Sequence, residues 1–143
     1  MCSKSSHEFS QLFAEHDDPV RWEYPSGMDY RREIERFQAF FAQLQEHLAV
    51  ALEYETEAHV QDASFHSQIR IGETWLRFSN FGGMVAFDDD DAINTQTRHS
   101  AMRLLQQNGY RFVPSVELQH RYTGRNPGIT GIPDWYTRFF SWI

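Results

Sequence analysis

The sequence predicts an α+β fold: a long N-terminal helix packed on an antiparallel β-meander, a second helix, and a short aromatic C-terminal helix. Three observations predict it. Between Tyr30 and Glu55, apolar residues return at steps of three and four. Between Phe65 and Phe87, short runs alternate apolar with polar and are joined by glycine turns. Of the 143 residues, 41% are hydrophobic and 15% aromatic, enough to bury a core. The length suits one domain spanning residues 1–143, with 1–28 as an N-terminal arm.

Each element follows in order. Ser6–Glu15 reads as a short helix, and the irregular arm after it carries Pro19, Pro25 and Gly27. Trp22–Pro25 pins that arm to the body. The long helix "YRREIERFQAFFAQLQEHLAVALEYE" shows one apolar stripe: Ile34, Phe37, Phe41, Leu44, Leu48 and Leu52. Asp29, alone or with Ser26, caps its start. Strands follow in "AHVQDASFHSQIRI", which alternates at Phe65, Ser67, Ile69 and Ile71, in "TWLRFSNF" and in "MVAF" (Met84–Phe87), turning at Gly72-Glu73 and Asn80–Gly83, and His59–Asp62 offers a further pairing strand. One face of this meander packs on the long helix and the other is freer. "INTQTRHSAMRLLQQNG" is the second helix, capped by Asn94 or Thr95, facing Ala101, Leu104 and Leu105 inward and ending at Gly109. "YRFVP" adds a strand, and Ser115–Leu118 a short turn. The tail "PDWYTRFFSWI" begins with a proline that a first helical turn tolerates, and Trp135, Phe139 and Trp142 share one face.

Charge narrows the partners. The net charge is −7 and it is unevenly placed. Residues 1–91 hold 18 acids against 7 bases, and residues 92–143 hold 2 acids against 6 bases. An acidic surface repels nucleic acid and attracts basic protein, so the expected partner is a protein, and neither nucleic acid nor membrane. Cys2 is the sole cysteine, no apolar run reaches the roughly 18 residues of a membrane span, and no secretory h-region precedes "HEFSQLF". The expected location is the cytoplasm.

Candidate chemistry centres on "FDDDDA". Asp88, Asp89, Asp90 and Asp91 lie between a strand and a helix. A calcium loop would follow such acids with a glycine and a distal glutamate, but Ala92 and Ile93 follow instead. Aspartates before a helix gain from its dipole, which accounts for one or two of them and not four. Glu53, Glu55 and Glu57 stand at or just past the end of the long helix, where acids oppose the dipole. These seven acids are the candidate partner-binding residues, forming one acidic face. The seven histidines show no metal-ligand spacing, no serine sits in G-x-S-x-G, and "FGGM" is too short for a nucleotide loop. No catalytic, cofactor or metal residue is therefore assigned, and the chain is read as a binding protein and not an enzyme.

"WLRFSNFGGMVAF", the helix closed by "NGYRFVP", and the ending "DWYTRFFSWI" together resemble small bacterial immunity proteins, the antidotes encoded beside polymorphic or contact-dependent toxins. The resemblance covers residues 75–143. It implies an α/β fold with an antiparallel sheet and inhibition by tight binding, and it carries no catalytic residue. Toxin domains of such systems are often nucleases with basic clefts, which an acidic cluster steers towards and plugs. Two other readings stand beside it. One is a small-ligand-binding or hydrolytic enzyme with a pocket between helix and sheet, with His66, Arg77 or Asp88 at its mouth. The other is a dimeric adaptor assembled through the aromatic C-terminal helix.

Overall fold

The computed structural model describes residues 6–19, 21, 23–25, 27–48, 52–56, 63–124 and 133–141. Trp22, Ser26, Glu57, His59–Asp62 and Trp142 lie outside the described residues. Helices α1 (Ser6–His16) and α2 (Tyr30–Leu48) are followed by strand β1 (Glu53–Thr56). The chain then runs through β2 (Phe65–Ile71), β3 (Thr74–Ser79) and β4 (Met84–Phe87) to a 3-10 turn at Asp90–Ala92. Helix α3 (Thr95–Gln107), β5 (Arg111–Phe112), α4 (Ser115–Leu118) and α5 (Trp135–Phe140) complete it.

The five strands form one sheet in the order β1-β2-β3-β4-β5. Strands β2, β3 and β4 make the expected antiparallel meander and β1 extends it, but β5 runs parallel to β4 and the sheet is mixed. The reason lies in the connection. Two strands joined by a tight turn must be antiparallel, whereas the 13 residues of α3 carry the chain back along the sheet before β5 begins. Asn94 Oδ1 accepts from the Thr97 N–H to start α3, and Gly109 takes φ 79° after its last turn.

Helix α2 starts where Asp29 Oδ1 accepts from the Arg32 N–H at 3.1 Å. It buries Ile34, Phe37, Phe40 and Leu44. Phe40, not Phe41, is the fully buried ring at this turn. Its neighbours Phe78 and Tyr110 lie 5.5 and 5.7 Å away, centroid to centroid. Steps of three and four fit either phenylalanine, and only the position of β3 and Tyr110 selects between them. Phe41 is half-buried against Tyr54, at 4.5 Å.

The sequence reading ran this helix on to Glu55. Residues Glu53–Thr56 are instead an edge strand, paired Glu53↔Arg70 to Thr56↔Ser67. In "EYET" Tyr54 and Thr56 favour a strand and the two glutamates disfavour one, so propensity alone is indecisive. The partner edge of β2 and the packing of Tyr54 on Phe37 and Phe41 decide it.

Both sheet faces are covered by helices. On one, α2 and α3 pack over Ile69, Ile71, Leu76, Phe78, Val85 and Phe87. On the other, the face expected to be freer, α1 and α5 enclose Phe81, Met84 and Ala86 with Phe9, Leu12, Phe13, Trp135, Phe139 and Phe140. A bulge in β2 between Phe65 and Ser67 shifts the alternation there. One ion pair ties the ends of this second layer together. Arg138 Nε donates to Asp17 Oδ1 at 2.8 Å, with both side chains buried. Three of the four described aromatics of the tail are thereby core: Trp135, Phe139 and Phe140 are each under 7% exposed, and Tyr136 is half-buried.

Gly82, in the turn between β3 and β4, has φ 62°, and a Cβ there would lie 2.6 Å from the His16 ring. Only glycine both takes this conformation without strain and lets α1 approach so closely.

Candidate interaction site

The four aspartates take four different positions. Asp88 follows β4 on the α5 side of the sheet, where it accepts from the Tyr136 hydroxyl and pairs with Arg77 at 3.4 Å. Burial pushes its carboxyl above the ordinary value, and Arg77 pulls the other way. Asp89 caps the 3-10 turn: its Oδ1 accepts from the Asp91 N–H at 2.9 Å, and its own N–H donates to Thr74 Oγ1. Asp90 Oδ2 accepts from the Ser115 N–H at 2.9 Å, joining this turn to the start of α4. Burial raises its carboxyl too, opposed by that bond and by Arg98. Asp91 is exposed. The tertiary fold thus engages Asp88, which stays exposed, and the half-buried Asp90.

Glu53 and Glu55 lie on β1. Glu55 begins a row across the sheet through its cross-strand partners Gln68, Arg77 and Ala86. Gln68 Nε2 donates to Glu55, and Arg77 Nε donates to Gln68 Oε1 at 3.0 Å. Arg77 also donates to the Phe140 carbonyl and the Tyr136 hydroxyl. Burial lowers the guanidinium's pKa, while Asp88 and Glu55 on its two sides oppose that. So Glu55 and Asp88 do not meet in an open acidic face; Arg77 stands between them, paired with Asp88 and linked to Glu55 through Gln68. Glu57 lies outside the described residues.

Glu53 is placed differently. It is exposed and lines a groove of about 630 Å³ between the end of α2, the β1–β2 edge and the start of α3. Leu48, Leu52, Ile71 and Ile93 supply the apolar part of its lining. Across the groove stands Ala92, the last residue of the 3-10 turn that carries Asp90 and Asp91. The groove's lining therefore joins Glu53 to the end of the aspartate turn. Sequence reasoning missed both Arg77, as the cation that divides the acids, and the aliphatic floor. Arg77 had a signal, since strand alternation sets it opposite Leu76 and Phe78. Leu48 and Leu52 had one too, as the end of the apolar stripe, whereas Ile93, outside helix and strand, had none.

A second cleft, of about 410 Å³, lies between α2 and the β3–β4 turn. It is lined by Asp29, Arg32, Glu33 and Arg36 from the helix and by Ser79, Asn80, Gly82 and Gly83 from the turn. Arg36 lies 4.1 Å over the Tyr110 ring and donates to the Asn108 carbonyl at 2.8 Å. His66 does not stand at a pocket mouth. It is buried on the α2 side of the sheet, and Arg77 and Asp88 are on the other side. Its Nδ1 lies 2.8 Å from Ser67 Oγ and its Nε2 4.0 Å from Glu33. Burial, with Arg36 adding to it, lowers its pKa to about 3, so the Glu33 contact is made by a neutral imidazole and is not an ion pair.

A pH dependence follows. In the unfolded chain His66 takes up a proton near its ordinary pKa, while the folded chain refuses it until about pH 3. The unfolded state then binds more protons, so this contribution is complete above pH 6.5 and is lost as the pH falls towards 3. Between pH 7 and pH 5 the parent should lose about 2 kcal/mol through this group. Asp88 and Asp90, with raised carboxyl pKa values, act in the opposite sense at lower pH. The readout is thus the difference in urea midpoints between the parent and His66→Asn across that range. Parallel curves would show that the imidazole does not resist protonation.

Among the described residues, no group of three or more His, Cys, Asp or Glu is placed to hold a metal ion, and no helix is long and apolar enough to cross a membrane. Comparison with protein-family models, curated proteins and solved structures finds no match.

Proposed function

We propose that this chain is a binding protein whose acidic edge captures a basic protein partner, as an immunity protein blocks a bacterial toxin in the cytoplasm. One observation carries the reading: exposed Glu53 lines a groove with an aliphatic floor, and the same lining includes Ala92, the chain neighbour of exposed Asp91. Acidic flanks steer a cationic surface, and a desolvated apolar centre holds it. The resemblance of residues 75–143 to immunity proteins supports the same reading. The polar cleft beside Arg36 favours a second one, a small-ligand site between helix and sheet.

The test uses the carboxylates whose loss leaves the fold intact. Asp88 and Asp90 are excluded by their bonds to Tyr136, Arg77 and Ser115. Glu53→Gln, Asp89→Asn and Asp91→Asn together remove three exposed charges, and asparagine at 89 keeps the oxygen that caps the turn. The measurement is association kinetics with the toxin domain encoded beside this chain, at two salt concentrations. The parent's association rate should fall steeply with salt, since screening shortens to about 8 Å at physiological ionic strength. The triple variant should associate about tenfold more slowly with little change in dissociation rate. Equal rates for parent and variant, with unchanged melting curves, would sink the proposal.

A further inference from the structure

We infer that the cleft between α2 and the β3–β4 turn binds a small zwitterion, an α-amino acid with an apolar side chain. This rests on the second reading above, a small-ligand site between helix and sheet, and is independent of the acidic edge.

The polar groups that remain free in the cleft select the ligand. On the helix wall, Arg32 is exposed, and its guanidinium makes no hydrogen bond or ion pair with a described residue. Asp29 uses Oδ1 to accept from the Arg32 N–H, the bond that starts the helix, and its Oδ2 is bonded to no described residue. Glu33 and Arg36 share the lining but are already engaged. They lie 3.8 Å from each other, Glu33 faces His66, and Arg36 donates to the Asn108 carbonyl.

The turn wall has the same mixture. Gly82 and Gly83 give their N–H groups to no described residue. Asn80 is 6% exposed, and its Nδ2 donates to the carbonyls of Glu23 and Ala63. Its Oδ1 accepts from no described residue. Buried amide oxygens are nearly always bonded, so this one marks a wall that a donor completes.

Each wall therefore offers donors and an acceptor, and the free charges, Arg32 and Asp29, are balanced. A lone anion would satisfy Arg32 and the glycine turn but set its charge beside Asp29. A lone cation would do the reverse. A carboxylate and an ammonium on one carbon satisfy both sets. Pro25 and Met28 complete the lining from the arm and give an apolar side chain its seat. A volume of about 410 Å³ lies within the range of small-molecule sites.

The probes are L-leucine and L-phenylalanine, with leucinamide, which keeps only the ammonium, and 4-methylpentanoate, which keeps only the carboxylate. Binding to the full chain is measured by calorimetry at neutral pH. At least one of the two amino acids should bind. The amide and the acid should each bind at least about tenfold more weakly than leucine. Arg32→Gln and Asp29→Asn should each weaken the amino acid by a similar factor with unchanged melting curves, since asparagine keeps the oxygen that caps the helix. Arg31→Gln, on the same helix but outside the cleft, should bind as the parent does.

Amide or acid binding as tight as leucine would keep a small-ligand site in the cleft and overturn the zwitterion. Parent-like binding by Arg32→Gln and Asp29→Asn would overturn the cleft as the seat. No binding by any of the four probes would overturn both this inference and the small-ligand reading, and the acidic edge would still be decided by its own kinetic test.

Discussion

Asp17→Ala should destabilise the protein by about 3–5 kcal/mol, the cost of leaving one partner of a buried ion pair without its counter-charge. Arg138 is 0% exposed and Asp17 is 1% exposed. The guanidinium lies 4.6 Å from the Phe81 ring and 5.3 Å from the Phe139 ring, and it donates to the carbonyls of Asp18 and Arg21. Asp17 accepts from Arg138 and from the Tyr122 hydroxyl. Removing the carboxylate therefore strands a cation between aromatic rings, where water cannot reach it without opening the contact between α1 and α5. Against a total of about 5–15 kcal/mol for a domain, that loss approaches global unfolding.

The measurement is urea unfolding followed by tryptophan fluorescence, since Trp135 packs on Phe13 in the same layer at 5.3 Å. The double variant Asp17→Leu with Arg138→Met should recover part of the loss, because both charges leave together. A single variant with the parent's midpoint would show that the pair relaxes into water at little cost.

Phe40→Ala should cost about 3–5 kcal/mol, and Phe41→Ala less than about 2 kcal/mol. Phe40 is fully buried between Phe78 and Tyr110, so its removal leaves a cavity that the rigid sheet cannot collapse into. Phe41 leaves a partly exposed space beside Tyr54, itself 42% exposed, and that edge can close. The comparison is made by urea midpoints at constant slope. A larger loss for Phe41 than for Phe40 would mean that the inner face of α2 is turned by one residue from the face described.

Both predictions rest on contacts that differ in how far they were written into local sequence. The stripe of α2 was legible because 3.6-residue periodicity is a property of neighbours along one chain segment. The same holds for the Asn94 cap, Gly109 past the end of α3, and the alternation of β2 and β3. Capping, turn and periodic signals need no knowledge of the rest of the molecule. The shared face of Trp135 and Phe139 was also legible, from their spacing of four.

Tertiary structure alone decided the rest. Whether Phe40 or Phe41 fills the core depends on where Tyr110 stands, seventy positions along the chain. "EYET" became a strand because β2 offered an edge, and β5 became parallel because α3 carried the chain back. Asp17 and Arg138 are 121 positions apart, and Asp88 and Tyr136 are 48 apart. No short-range pattern encodes such pairs. For the candidate site this is decisive. The sequence by itself determined that acids are concentrated in the first two-thirds of the chain, at Glu53, Glu55 and Asp88–Asp91. The fold decided which of them are bonded and which stay exposed. It paired Asp88 with Arg77, bonded Glu55 to Gln68, used Asp90 to hold α4, and left Glu53 and Asp91 exposed, with Glu53 lining an aliphatic groove. A carboxylate beside a low-dielectric surface is bonded wherever the topology supplies a donor, and it is left to the solvent only where none arrives.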